Sequence, residues 1–317
     1  MLYAKPLSAV SDAELQAAGQ RAVDLARLAQ SRIAVPPSFV ILSTAWERVL
    51  SANNLAYKLD YILARVDLSL AYTLTNAYTG VRKAMLDATI PADVEQEVRE
   101  LYDATSTTGI GLDDGQRLPV RLIVSANRID DPENNDTIIQ CVRDSAELLV
   151  ALREAWALAY SPAQLAHRIR NRFQEKRLAI AVIAQAMRPQ DVTVHAYSSM
   201  PQDRTTVYIQ AYRGYPDLRD RVAKDYHAIA KADLKIAASE PHEQTHALLI
   251  DEKNALELAQ VADGQGPAPR ELAEIARLTS KIERELAAPV KAFFASRGEE
   301  HELLWANRLG FDVLLTP

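Results

Sequence analysis

An α+β fold, with a helical N-terminal part followed by mixed or antiparallel sheet segments, is the class this sequence predicts. Three observations predict it. Apolar residues recur at helical spacing through the first third of the chain. From Leu118 onward, short runs rich in Val, Ile, Ala and Tyr take over. Helix and strand runs do not alternate one for one, which argues against a parallel βαβ array.

Residues 11–30, "SDAELQAAGQRAVDLARLAQ", open on Ser11 with Glu14 three positions later, a capping-box signature. Leu15, Ala18, Ala22, Leu25 and Leu28 then recur at helical spacing, predicting one helix. It must stop before "VPPSFVIL", because the residue preceding a proline avoids the helical region and proline donates nothing to a ladder. Prolines Pro36 and Pro37 stand at the entrance of an apolar strand, where a fixed φ and a missing donor do least harm. From Thr44 to Leu86 the pattern reads as one long helical run. Thr89-Ile90-Pro91 breaks it, and "PADVEQEVRELYDA" restarts a helix with proline and acids in its first turn.

The polar, glycine-bearing stretch "TSTTGIGLDDGQRL" marks the best boundary. We therefore expect an N-terminal helical part over residues 1–117, a central sheet subdomain over 118–213 and a C-terminal subdomain over 214–317. "VRLIVSA", "DTIIQCV", "LAIAVIAQAM", "VTVHAYSS" and "TTVYIQAY" read as strands. "SAELLVALREAWALAYS", "AQLAHRIRNRF" and "PAPRELAEIARLTSKIEREL" read as amphipathic helices. The stretch from Gly214 to Glu240 reads as irregular and then extended, and the chain closes in two short strands about a turn at Asn307 to Gly310.

The 317 residues are 48% hydrophobic and 25% charged, an ordinary globular balance that suits roughly two domains or one large unit. A net charge of −6 argues against nucleic acid or an anionic membrane as the main partner. No apolar stretch approaches the ~20 residues that span a bilayer, and the first residues lack the pattern of a signal peptide. The single cysteine, Cys141, excludes an internal disulfide framework and reads as a small buried residue in a strand. A cytoplasmic protein is expected; homo-oligomerisation is not readable.

The stretch "AAGQRAVDLARLAQSRIAVPPSFVIL" resembles the start of the nucleotide-binding domain of the phosphoenolpyruvate synthase and pyruvate phosphate dikinase family. That family runs Gly-Gly-Lys-Gly, a helix, then Val-Pro-Pro-Gly-Phe-Val-Ile. Here Gly19-Gln20-Arg21-Ala22 and Val35-Pro36-Pro37-Ser38-Phe39-Val40-Ile41 stand at those places. Later landmarks keep the family's order. Trp156-Ala157 fall within a Cys-Trp-Ala-Ser-Leu helix, and Gln185 and Met187 match a Val-Val-Gln-x-Met strand. Asp225 matches a Val-x-Pro-Asp-x-Tyr run, and "LLWA" and "VLLTP" resemble Ile-Glu-Trp-Ala and Leu-Gln-x-Arg-Pro. The resemblance implies an ATP-grasp-like fold, with ATP and Mg2+ as cofactors wherever the site is functional.

Residue by residue, the resemblance carries over only part of that chemistry. Phosphoryl transfer needs cations on the phosphates and acids on the metal. The family's phosphate-binding lysine falls on Arg21, beside Gly19; Arg21 reads equally as that cation or as a solvated surface residue. Its Arg-Ser-Ser clamp falls on Val124-Ser125-Ala126, without the arginine, and Arg121, three residues back on the strand, should face the other way. The glycine-rich lid falls on "RIDDPENN", without a glycine, while Thr137 keeps the following threonine. Gln185 and Met187 fall where the family borders adenine, and a buried apolar strand explains them nearly as well. Of two metal-binding acids, one survives as Glu302 and the other becomes Leu304, leaving magnesium short of an oxygen. Near the family's Gly-Leu-Gly-Glu turn only Gly214 is in place. The leading expectation is a degenerate binding or scaffold module with weak ATP binding or none. The alternative is an ATP-dependent kinase, using Arg21 and Glu302, that phosphorylates a histidine supplied in trans by a partner protein's phosphohistidine domain.

One motif competes. "HEQTH", His242 to His246, fits His-Glu-x-x-His, which on a helix places two zinc-binding imidazoles on one face with a glutamate base. Pro241 directly before it places the motif at a helix start or in a loop, against a zinc hydrolase.

Overall fold

The protein, seen here as a computed structural model, is described over residues 2–107, 117–126, 138–170, 178–219, 221–251, 253, 255–262 and 266–309. It divides into two compact units. The first comprises residues 1–27 and 37–187, the second residues 28–36 and 188–317. One of the three points where the chain passes between the units falls between Pro36 and Pro37, within the proline pair. Immediately after it, the Pro37 carbonyl accepts from Ala186 N at 2.9 Å and the strand begins.

The chain opens with strand β1 (Ala4–Pro6) and two 3-10 turns, Leu7–Ala9 and Asp12–Glu14. The expected capping box forms: Ser11 N donates to Glu14 Oε2 at 3.0 Å. The helix expected over residues 11–30 is broken, however, into α1 (Leu15–Ala18) and α2 (Gln20–Gln30). Gly19 between them sits at φ +77°, a conformation other residues avoid. There β2 (Ser38–Ile41) follows, then α3 (Ser43–Ala52), α4 (Leu55–Leu63) and α5 (Ala71–Leu86). The single long helix expected from Thr44 to Leu86 is thus three; Asn54, at φ +53°, reverses the chain after the first of them. Next comes α6 (Ala92–Ser106), with Pro91 as its cap and Asp93 and Glu95 in its first turn, as its composition implied. Strands β3 (Val120–Ala126) and β4 (Ile138–Val142), helices α7 (Ser145–Leu158) and α8 (Pro162–Arg170), and β5 (Ile180–Ala186) complete the first unit.

Its sheet runs β1-β2-β5-β3-β4, every neighbouring pair antiparallel. Alternation along each strand splits the side chains into two sets. Phe39, Ile41, Val120, Leu122, Val124, Val182 and Ala184 join the core that includes Trp46 of α3, Val98 of α6 and Trp156 of α7. The two tryptophan rings lie 5.8 Å apart, tilted by 51°. The opposite face carries a polar row. Ser38, Gln185 and Arg121 stand directly across from one another on β2, β5 and β3, next to an apolar row of Val40, Ile183 and Ile123. Cys141 is half-buried rather than buried, because the β3–β4 pairing is irregular there and places it at φ +64°.

The second unit contains β6 (Val192–Tyr197), β7 (Thr206–Arg213), β8 (Asp225–Ala230), β9 (Ile236–Glu240), β10 (His246–Ile250), β11 (Leu256–Gln260), α9 (Pro269–Leu286), β12 (Val290–Arg297) and β13 (Glu300–Arg308). Its main sheet is antiparallel in the order β13-β12-β6-β7-β8-β9, and β10 and β11 form a separate hairpin. Helix α9 begins at Pro269, with Glu271 in its first turn, and buries the stripe Leu272, Ile275, Ala276, Thr279, Ile282 and Leu286. The closing turn expected at Asn307 to Gly310 is not where the last described hairpin reverses. β13 runs unbroken to Arg308, and its partner is β12, joined through Gly298 and Glu299; the expected second strand lies outside the described residues. The α+β class with antiparallel sheets after a helical part stands as the sequence implied. No helix among the described residues is long and apolar enough to cross a membrane.

Candidate functional site

Gly19 and Arg21 meet the same strand. A Cβ on Gly19 would collide with the Ser125 carbonyl and lie 2.6 Å from Ser125 Oγ, so only glycine permits this approach. Ser125 Oγ donates to the Ala18 carbonyl at 2.8 Å and accepts from Ala22 N at 3.0 Å, tying the elbow between α1 and α2 to β3. Two residues after the glycine, Arg21 turns inward. It is 8% exposed, and its Nη1 donates to the Val124 carbonyl at 3.1 Å. It is therefore no solvated surface residue, and part of its guanidinium serves the strand.

Gln185 and Met187 lie at the other end of that sheet face. Gln185 is fully buried between Ser38 and Arg121 in the polar row. Met187 donates its N–H to the Pro119 carbonyl at 2.8 Å, and its sulfur accepts from Cys141 N at 3.1 Å. Arg121 and Ser125 share a face, four residues or roughly 13 Å apart along the strand. As the offset implied, Arg121 faces away from Val124; it lies fully buried. The first unit thus gathers Gly19, Arg21, Gln185 and Met187 around β3 and β5. Thr137 and the stretch "RIDDPENN", which begins at Arg128, lie outside the described residues.

Glu302 belongs to the second unit, on β13. Arg188 Nη1 donates to Glu302 Oε1 at 2.8 Å, with the two side chains 29% and 20% exposed. Leu304, where a second acid was expected from the resemblance, is 1% exposed. Magnesium requires several oxygen ligands in near-octahedral geometry. Among the described residues no group of three or more His, Cys, Asp or Glu is placed to hold a metal ion. Arg188 is the partner of Glu302 that the sequence did not disclose; its only signal is a charge just after the apolar run "LAIAVIAQAM".

The other motif positions make hydrogen bonds within the second unit. Gly214, at φ +82°, accepts hydrogen bonds on its carbonyl from Thr193 Oγ1 at 2.7 Å and Gln190 Nε2 at 2.9 Å. Asp225 Oδ1 accepts from His242 N at 2.7 Å. "HEQTH" is no helix: residues 241–245 are irregular and His246 starts β10. Gln244 is buried within it, accepting from Arg213 N at 2.9 Å and donating to the Ala211 carbonyl at 3.3 Å. The two imidazoles therefore do not share a helical face, and the zinc reading finds no metal cluster among the described residues.

Comparison with known proteins bears on this arrangement. Residues 15–305 match the family described as the pyruvate phosphate dikinase AMP/ATP-binding domain. The chain is 22% identical over 314 residues to the probable phosphoenolpyruvate synthase of Methanocaldococcus jannaschii, covering 95% of this chain and 26% of that protein. It is 23% identical over 259 residues to the probable phosphoenolpyruvate synthase of Staphylothermus marinus, covering 78% of this chain and 30% of that one. The chain thus spans under a third of either relative. A solved structure, PH1788 from Pyrococcus horikoshii Ot3, shows a TM-score of 0.33 at 14% identity over 73% of this chain and 87% of that one, too slight a likeness to build on. With a match running from before Gly19 to Trp305, the chain belongs to the pyruvate phosphate dikinase AMP/ATP-binding domain family.

Proposed function

We propose that this chain is a phosphoenolpyruvate synthase-like nucleotide-binding module whose phosphoryl-transfer chemistry has decayed, and that it acts by binding rather than by catalysis. One observation carries this reading: the surviving acid, Glu302, is held by Arg188, while its expected companion is the buried Leu304. Without a pair of carboxylates the β- and γ-phosphate oxygens have no metal bridge, and the largest electrostatic contribution to phosphoryl transfer is missing. Arg21 supports the same reading. A guanidinium that donates to a buried carbonyl is a poor mobile clamp for phosphate. Gln185 and Met187 retain the apolar, polar-tipped strand that the family sets beside adenine, so weak binding of the base is compatible with losing the chemistry.

The test is turnover. The purified chain is incubated with magnesium and ATP labelled on both the β- and γ-phosphates, alone and with a phosphohistidine domain of the synthase family. The expected result is no released phosphate and no labelled histidine above buffer. Labelled histidine that disappears in Glu302→Gln would instead establish the kinase reading.

A further inference from the structure

A cleft of about 540 Å³ opens on one face of the six-stranded sheet, within the size range of small-molecule sites. Strand register explains its shape. Tyr197, Tyr208, Ala228 and Ala238 form one cross-strand row, and Gln210, Tyr226 and Glu240 form the next row on the same face. The two alanines are too small to fill the space above their strands. The tyrosine rings and Met200, from the connection between β6 and β7, wall it in.

The lining chemistry is selective. Glu240, whose side chain is 75% exposed, is the one carboxylate among the described lining residues. His227, behind the floor, is held toward its neutral form by burial. Tyr208 donates its phenolic O–H to Asp203 Oδ2 at 2.9 Å, and a carboxylate acceptor pushes electron density into that ring. The same aromatic surface already carries an ammonium: Lys291 Nζ stands 5.2 Å from the Tyr197 ring and 5.0 Å from Phe293. Those distances fall inside the range for cation–π attraction. Lys291 occupies the Tyr197 end, so an incoming cation is favoured at the other end, beside Tyr226 and Glu240, where the His242 ring stands 5.7 Å from that of Tyr226 and its Nε2 3.7 Å from Glu240 Oε1. At that end Glu240 repels a phosphate-bearing ligand, and a purely apolar one would leave Glu240 unused.

We infer that this cleft binds a small organic ammonium ion, held over the rings of Tyr208 and Tyr226 and attracted by the Glu240 carboxylate. The inference stands apart from the nucleotide reading; it involves neither Arg21 nor Glu302.

The test compares choline with 3,3-dimethylbutan-1-ol, which has the same shape and no charge, each titrated into the full chain and followed by calorimetry. Saturable choline binding is expected, with the alcohol at least ~10-fold weaker. Tyr226→Leu and Glu240→Gln change exposed side chains, so both variants should fold, and each should weaken choline by roughly 3- to 10-fold. Equal affinity for the alcohol would overturn the inference in favour of a plain apolar pocket. So would unchanged choline affinity in Glu240→Gln and Tyr226→Leu, or failure of choline to bind the unaltered chain.

Discussion

The Arg188 guanidinium and the Glu302 carboxylate are paired at 2.8 Å across 114 residues of sequence, within one unit of the fold. This pair engages the one acid that the family resemblance assigns to a metal. Both side chains keep partial contact with water, so the pair is worth little to stability. Glu302→Gln should lower the unfolding free energy by about 1 kcal/mol or less, measured by urea denaturation. A loss of several kcal/mol would mean that Glu302 is a buried structural acid instead.

Gly19 is a stronger determinant of the fold. Alanine there faces both a positive φ and a collision with the Ser125 carbonyl. Gly19→Ala should cost more than about 2 kcal/mol, from the left-handed backbone and the overpacking together. Urea midpoints of the variant and the parent check this; a midpoint within error of the parent would show that the α1–α2 elbow can shift away from β3.

Trp156 is fully buried against Trp46. Trp156→Ala should cost roughly 3–5 kcal/mol, by lost transfer energy and the cavity left behind. Circular dichroism during urea unfolding reads that loss. A cost below about 1 kcal/mol would mean that the helices of the first unit close over the gap.

Acid should weaken the fold through His195. It is 5% exposed, its Nε2 is 2.9 Å from the Tyr212 hydroxyl, and burial first, then the charges of Lys291 and Lys224, hold its pKa well below the usual histidine range. The unfolded chain therefore takes up a proton near pH 6.5 that the folded chain refuses. Stability should fall as pH drops from 7 to 5, with His195 contributing up to ~1.4 kcal/mol per pH unit below its unfolded pKa. His227 and His301, whose pKa values burial also lowers, add in the same direction. His195→Gln should flatten this dependence, read as urea midpoints across that range. An unchanged slope would show that His195 titrates in the folded protein much as it does in the unfolded one.

Local signals were the legible part of the fold. Ser11 with Glu14, Pro91 with its acids, and the run from Pro269 each carry their cap within a few residues, and each helix starts there. β12 gives no strand signal in the sequence, because "VKAFFASR" is buried on both faces and shows no alternation to separate it from a helical stretch. The β10–β11 hairpin carries no strand reading in the sequence; "HEQTH", at whose last residue β10 starts, reads only as a metal motif that Pro241 sets at a helix start or in a loop. The break at Gly19 depends on Ser125, more than a hundred residues away, and a glycine inside a helical pattern does not announce such a contact. At the candidate site, residue types could be matched to motif positions, but their engagements could not. Arg21 to Val124 and Arg188 to Glu302 are tertiary pairings, and burial decides them.

The most direct measurement is the thermal shift produced by ATP, taken once with magnesium and once with EDTA. A ligand at a hundredfold excess over its dissociation constant stabilises by ~2.7 kcal/mol, which a melting curve resolves readily. The expected result is that magnesium adds nothing: any shift, however small, is the same in both conditions and unchanged in Glu302→Gln. A shift that requires magnesium and is lost in Glu302→Gln and Arg21→Ala would contradict the decayed-site account and restore a working phosphoryl-transfer centre.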